Sequence, residues 1–270
     1  MSDIYTGSFL KEAIARMQDP NYKPGGSKSY KCNLCNDKGY IATTLSGEKK
    51  KLTDVLSSQI DYVRPCKCQL EKQMYSKMKY SNIELDQYEK KSFETFKRDT
   101  EEADKMYELA YKFLESDAQG VGFFGKSGTG KTHICTAICN ELAKRGVQHR
   151  YFNYRTDIQR LKALVYKHEE YNALINDFKM ATVLYIDDLF KLSKNSNGEM
   201  NVQEMQIVFD IINSRYMNKK RIIVSSEYTV AEMKQFDEAT AGRIREMIDD
   251  LGMKVEGVNR RFKQLKIKTA

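Results

Sequence analysis

Apolar residues along this chain recur first at helical spacing, then in short strand-like runs, and finally in an alternation of the two. Phe9, Leu10, Ala13, Ile14 and Met17 fall on one face and predict a first helix that stops at Pro20. Asn21 to Ser29 (NYKPGGSKS), directly after Pro20, holds Pro24 and a Gly pair, a linker composition. Short strand-like pieces such as GYIATT follow, then a charged helix from Gln69 to about Lys79. Asp99 with Glu102 three residues later predicts a helix start, and Met106, Tyr107, Ala110, Tyr111, Phe113 and Leu114 supply its apolar face. From Gly120 the runs VGFF, HRYFNY, TVLYIDD and RIIVSS predict buried strands separated by helices. The helix after VGFF runs to about Arg145, with Gly146 as its cap. That alternation predicts an α/β fold with a parallel sheet covered by helices. Three parts are expected: an N-terminal module over residues 1–80, a linker with leading helices over 81–117, and an α/β domain over 118–270.

Composition narrows the class. With 270 residues, 41% hydrophobic and 30% charged, the chain can bury a core, which rules out wholesale disorder. No apolar run approaches a membrane span and the N-terminus has no secretory pattern, so a cytoplasmic protein without a membrane partner is expected. The net charge of +8 suits a polyanion partner and equally an ordinary solvated surface. The last 18 residues carry six basic side chains against Glu256 alone.

The sharpest chemistry lies in GKSGTGKT: Gly125, Lys126, Ser127, Gly128, Thr129, Gly130, Lys131 and Thr132. This full G-x-x-x-x-G-K-[ST] pattern sits between an apolar strand and a helix, the context a phosphate loop requires. Its glycines let backbone N–H groups face phosphate, and the helix N-terminus adds partial positive charge. Lys131 is expected to reach the β and γ phosphates of ATP or ADP, and the Thr132 hydroxyl to ligate Mg²⁺. A second strand, VLYI, delivers Asp187 and Asp188 at its end. Asp187 is the natural Mg²⁺ partner, and Asp188 a group to orient or deprotonate the attacking water. Ser225 and Ser226 end the next strand, where a hydroxyl can sense a γ-phosphate. Arg243 reads either as an arginine finger for a neighbouring subunit or as a surface salt-bridge former.

Six cysteines without an export signal argue for thiols or metal ligation rather than disulfides. Cys32 and Cys35 are two residues apart, and Cys66 and Cys68 follow after 30 intervening residues. Four thiolates in two pairs suit a structural Zn²⁺; a redox pair, free thiols and an iron–sulfur cluster remain alternatives. Cys135 and Cys139 read as core packing, and His133, His149 and His168 show no ligand spacing.

Taken in order, the cysteine module, SFETF (Ser92 to Phe96), GKSGTGKT, TVLYIDDL, IIVSSE and GRIREM resemble the bacterial and phage helicase loaders of the DnaC/DnaI type, which are AAA+ ATPases. The resemblance covers roughly Tyr30 to the C-terminus; IstB-type transposition ATPases are similar to the C-terminal half. It implies an AAA+ core without the usual helical lid, and an N-terminal domain that grips a replicative hexameric DNA helicase. It further implies ATP-dependent self-association and delivery of the helicase onto single-stranded DNA. Carried over by position, Lys131 and Thr132 form the Walker A pair and Asp187 and Asp188 the Walker B pair. Ser226 falls near the first sensor, where the loaders often have Asn. Arg243 matches the trans-acting finger, and Arg261 in NRRFK a second basic residue on the phosphates. Residues 155–180 correspond to the helical insertion used for DNA contact, with Arg155, Arg160, Lys162 and Lys167 offset by Asp157, Glu169, Glu170 and Asp177. The competing readings are an IstB-like regulator that binds a transposase, an adaptor that holds ATP without turnover, and a small-molecule kinase.

Overall fold

The computed structural model describes residues 31–43, 49–50, 62–191, 193–194, 198–257 and 259–260. The expected first helix, the linker and Arg261 with the basic tail after it lie outside the described residues. A small antiparallel sheet comes first, from β1 (Tyr40–Thr43), β2 (Lys49–Lys50) and β3 (Tyr62–Pro65) in the order β2-β1-β3. Its core is slight: Ile41 packs with Cys35 and Cys66. Cys66 then opens α1 (Lys67–Ser81), and α2 (Leu85–Lys90) and α3 (Glu101–Glu115) follow. Thr100 caps α3 by accepting the Ala103 N–H at 3.2 Å, one residue beyond the start read at Asp99.

Five strands then form a parallel sheet: β4 (Gly120–Gly125), β5 (His149–Asn153), β6 (Val183–Leu189), β7 (Arg221–Ser226) and β8 (Gly252–Val255), in the order β5-β6-β7-β4-β8. Both faces are covered, so the strands read as continuous apolar runs whose alternate residues serve opposite layers. Val121, Phe123, Tyr185 and Ile223 face α4 (Lys131–Lys144), α3 and α1. Phe124, Leu184, Ile222 and Val224 face a layer of α5 (Tyr154–Leu164), α6 (His168–Met180), α7 (Val202–Met217), α8 (Val230–Lys234) and α9 (Glu238–Ile248). The parallel sheet covered by helices expected from the sequence is therefore present. Among the described residues no helical lid follows β8, and no helix is long and apolar enough to cross a membrane.

Packing joins the segment before β4 to this core. Met74 and Met78 of α1, Tyr88 of α2, and Phe93 and Phe96 lie in one buried cluster with Ile134 and Ile138 of α4. Residues of the stretch expected as linker and leading helices thus contribute core. On the opposite face, the buried Arg215 guanidinium donates to the carbonyls of Phe178, Ala181 and Arg221 at 2.8, 2.9 and 2.5 Å. It thereby satisfies the orphan carbonyls at the end of α6 and ties them to the start of β7.

Candidate active site

Strand β4 runs into the phosphate loop, whose Gly125, Gly128 and Gly130 have φ of 124°, 80° and 103°. A Cβ on Gly125 would stand 2.2 Å from the Val255 carbonyl oxygen, so only glycine lets β8 pass there. Lys131, 5% exposed, donates to the Gly125 and Lys126 carbonyls at 2.5 and 2.6 Å. Burial pushes its ammonium below the ordinary lysine value, with Asp188 and Glu227 opposing. The lysine that would meet phosphate thus rests on the loop's own oxygens.

Opposite the loop, β6 carries a bulge. Its pairing with β7 runs through Ile186↔Val224 and resumes at Leu189↔Ser226, so Asp187 and Asp188 together face Ser225. Along a regular strand these two carboxylates would point to opposite faces; the extra residue, with Asp188 at φ 56°, redirects the chain between them. Asp187, 7% exposed, accepts from Thr132 Oγ1 at 3.1 Å, Tyr185 OH at 2.6 Å and Ser225 Oγ at 2.6 Å, all on Oδ1. Tyr151 OH donates to Oδ2 at 3.0 Å. Burial, and then the Asp187 charge, push both phenols above their ordinary value and keep them protonated donors. The side chain of Asp188 pairs with Lys191 at 2.9 Å. Thr132 and Asp187 are hard oxygen donors side by side, a set that fits Mg²⁺.

Ser226 does not join this cluster. Its hydroxyl donates to the Leu189 carbonyl at 2.7 Å on the face of β7 shared with Val224. Ser225, on the α4 face with Ile223, is the one of the two serines that touches Asp187. Arg260, next to Arg261, reaches the loop: its N–H donates to the Gly128 carbonyl at 2.9 Å, and its guanidinium reaches Asp99 at 2.5 Å. Arg243 lies apart on α9, donating to Asn213 at 2.7 Å and to the Ala239 carbonyl at 3.0 Å, with its guanidinium 4.7 Å from the Phe209 ring. In the helical insertion, Arg155 is exposed, while Arg160, Lys162 and Lys167 pair with Asp157, Glu204 and Glu170 at 3.0, 2.9 and 3.4 Å.

Sequence reasoning missed Tyr151, Tyr185 and Lys191. Tyr185 had a legible signal, since it stands two residues before Asp187 and shares its face. Tyr151 needed the cross-strand register Tyr151↔Tyr185.

The Sγ atoms of Cys32, Cys35, Cys66 and Cys68 all lie within 4.8 Å of one another, with Cys32–Cys66 at 3.6 Å and Cys35–Cys68 at 3.4 Å. Tetrahedral zinc thiolate bonds of about 2.3 Å require sulfurs roughly 3.8 Å apart, so the cluster suits Zn²⁺. The knuckle is built for it: Asn36, Asp37 and Gly39 have positive φ, and the Gly39 N–H donates to Cys35 Sγ at 3.3 Å. Without metal, burial pushes the Cys66 thiol up to about 11 and the Cys68 thiol higher still. Cys135 and Cys139 are core residues of α4.

Comparison with known proteins adds the lineage. Residues 87–249 match the bacterial DnaA ATPase domain family. Two Bacillus subtilis (strain 168) proteins are similar. YqaM is 31% identical over 73% of this chain and 64% of its own length; the phage-like element PBSX protein XkdC is 29% identical over 87% of this chain and 86% of its own. Among solved structures, AMPPCP-bound DnaA from Aquifex aeolicus superposes with a TM-score of 0.52 and 26% identity, over 64% of this chain and 53% of that one. The DnaC helicase loader superposes with a TM-score of 0.51 and 20% identity, over 62% of this chain and 97% of that one. This chain thus spans about half of the DnaA chain and just under two thirds of YqaM. With its phosphate loop, bulged acidic strand and five-stranded parallel sheet, the chain belongs to the bacterial DnaA ATPase domain family of AAA+ ATPases.

Proposed function

We propose that this protein is an ATP-dependent helicase loader of replication initiation, which grips a replicative hexameric helicase and delivers it onto single-stranded DNA. One observation carries the reading. Cys66 and Cys68 stand at the start of α1, and Met74 and Met78 of that same helix pack in the cluster with Ile134 and Ile138 of α4, which begins at Lys131. A partner held by the cysteine module is therefore joined through two packed helices to the nucleotide loop. The likeness to the DnaC helicase loader, over 97% of that chain, supports the same assignment.

In this reading backbone N–H groups of Gly125 to Thr132 and the Lys131 ammonium bind the phosphates of ATP. Lys131 exchanges the Gly125 and Lys126 carbonyls for phosphate oxygens. Thr132 and Asp187 would hold Mg²⁺, which would supply neutralisation of the phosphate charge. Asp188 orients the attacking water and takes its proton, and Ser225 reports the state of the site to β7. Arg243 serves a neighbour's nucleotide, since its own contacts, Asn213 and Ala239, lie outside the phosphate loop. Zn²⁺ on the four cysteines holds the N-terminal module together, and the ATPase part works in the cytoplasm.

Incubation of the purified chain with its cell's replicative helicase, circular single-stranded DNA and ATP tests the proposal. Helicase transfer to DNA that fails with Lys131→Ala supports it. Absence of helicase binding, with recovery of a transposase from the native cell instead, overturns it in favour of an IstB-like regulator.

A further inference from the structure

The ammonium of Lys191 lies between two carboxylates that belong to different strands. Its Nζ is 2.9 Å from Asp188 Oδ2, at the bulge of β6, and 2.9 Å from Glu227 Oε1, the residue directly after Ser226 at the end of β7. The Lys191 side chain is half-buried, at 22% exposure, and its charge is met by these two partners. Asp188 is further constrained from the other side, because its N–H donates to Ser225 Oγ at 3.0 Å. The Lys191 N–H closes a turn onto the Asp188 carbonyl at 3.0 Å, which places the lysine stem over the bulge.

We propose that Lys191 is a positioning residue that withholds Asp188 from the attacking water, and that Glu227, which shares the ammonium, is the competing carboxylate that keeps it when Asp188 is to act. The proposal rests on the reading of Asp188 as the group that receives the water proton. In that step the water oxygen bonds to the γ-phosphorus, and the bond to the β-phosphate bridging oxygen breaks with its electron pair leaving on ADP. The proton of the water passes to Asp188. While Lys191 donates to Asp188 Oδ2, that oxygen is taken. Glu227 follows the strand whose Ser225 hydroxyl touches Asp187, so any displacement of β7 against β6 would move the competing carboxylate relative to the ammonium. The two partners of one lysine thus have opposite effects on turnover.

The test uses the full chain with Lys191→Met, Lys191→Arg, Glu227→Gln, Asp188→Asn and the Asp188→Asn/Lys191→Met double variant. Turnover, affinity for a non-hydrolysable ATP analogue and thermal unfolding are measured for each. Lys191→Met is expected to raise kcat without DNA roughly fivefold and Glu227→Gln to lower it by a similar factor, with analogue affinity unchanged and Lys191→Arg restoring the parent rate. In the Asp188→Asn background, Lys191→Met should change nothing. A folded Lys191→Met variant with unchanged or reduced kcat overturns the proposal while leaving Asp188 in place. Full turnover by Asp188→Asn overturns the Asp188 reading and the proposal with it. Weaker analogue binding by Lys191→Met would make Lys191 a phosphate ligand and also overturn it.

Discussion

The Ser225 hydroxyl donates to Asp187 at 2.6 Å while accepting the backbone N–H of Asp188 at 3.0 Å. One side chain of β7 thus stands opposite both acidic residues of the β6 bulge and fixes their relation to Thr132. Ser225→Ala removes a partner from a buried carboxylate and leaves the Asp188 N–H unpaired, a loss of about 1–3 kcal/mol. It is expected to cut kcat for ATP by an order of magnitude or so. Ser226→Ala, which breaks the bonds to the Leu189 carbonyl and from the Tyr228 N–H but none to the acidic pair, should lower the unfolding temperature and spare turnover. Steady-state kinetics on the two variants decide it, and equal kcat losses would remove the assignment to Ser225.

Lys131→Ala should lose most nucleotide affinity with the fold intact, since a charge-assisted contact to phosphate is worth on the order of 1.5–3 kcal/mol. Arg243→Ala should bind ATP normally yet lose DNA-stimulated hydrolysis, because the charge it meets develops in the transition state. Mixing the two variants is expected to restore part of the activity, one subunit supplying the loop and the other the arginine. No rescue at any mixing ratio would assign Arg243 to its own chain.

Elemental analysis should find one zinc per chain, lost in Cys35→Ser and Cys68→Ser. The cysteine module buries little besides Ile41, Cys35 and Cys66, so metal loss should unfold it. ATP binding should persist, because α1 is anchored on α4 through Met74 and Met78. Iron in place of zinc, in protein purified without oxygen, would overturn the zinc assignment.

His149 provides a pH signature. It is fully buried, its Nε2 paired with Tyr88 OH at 2.6 Å, and burial pushes it down to about 4. Below the unfolded value of about 6.5 the unfolded chain takes up a proton that the folded chain refuses, so stability falls with pH through that window. The contribution is complete above about 6.5, and roughly 3 kcal/mol is lost once pH passes below the folded value. Urea unfolding from pH 7 to 4 should show this slope, and His149→Gln should flatten it. An unchanged slope in that variant would assign the pH dependence to other groups.

Much of this protein was legible without coordinates, because the signals are local. A strand–glycine loop–lysine–helix sequence specifies its own backbone, and an apolar run ending in two aspartates marks a buried strand reaching the site. Four cysteines in two close pairs similarly announce a ligand set. What the chain alone left undecided depends on how distant segments register. The choice of Ser225 over Ser226 follows from a bulge in pairing between residues 38 apart, and a slip of one residue would have reversed it. Tyr151 reaches Asp187 only because β5 lies beside β6 in register. Arg260 meets the phosphate loop because the segment after β8 passes over Gly128. The packing of α1 was hidden for a related reason: the charged face of the helix is what composition shows, whereas Met74 and Met78 seat it on α4. Residue type and spacing determined which chemistry this chain carries; the stagger of its strands decided which side chain performs it, since strand pairing, not sequence distance, sets what lies within 3 Å.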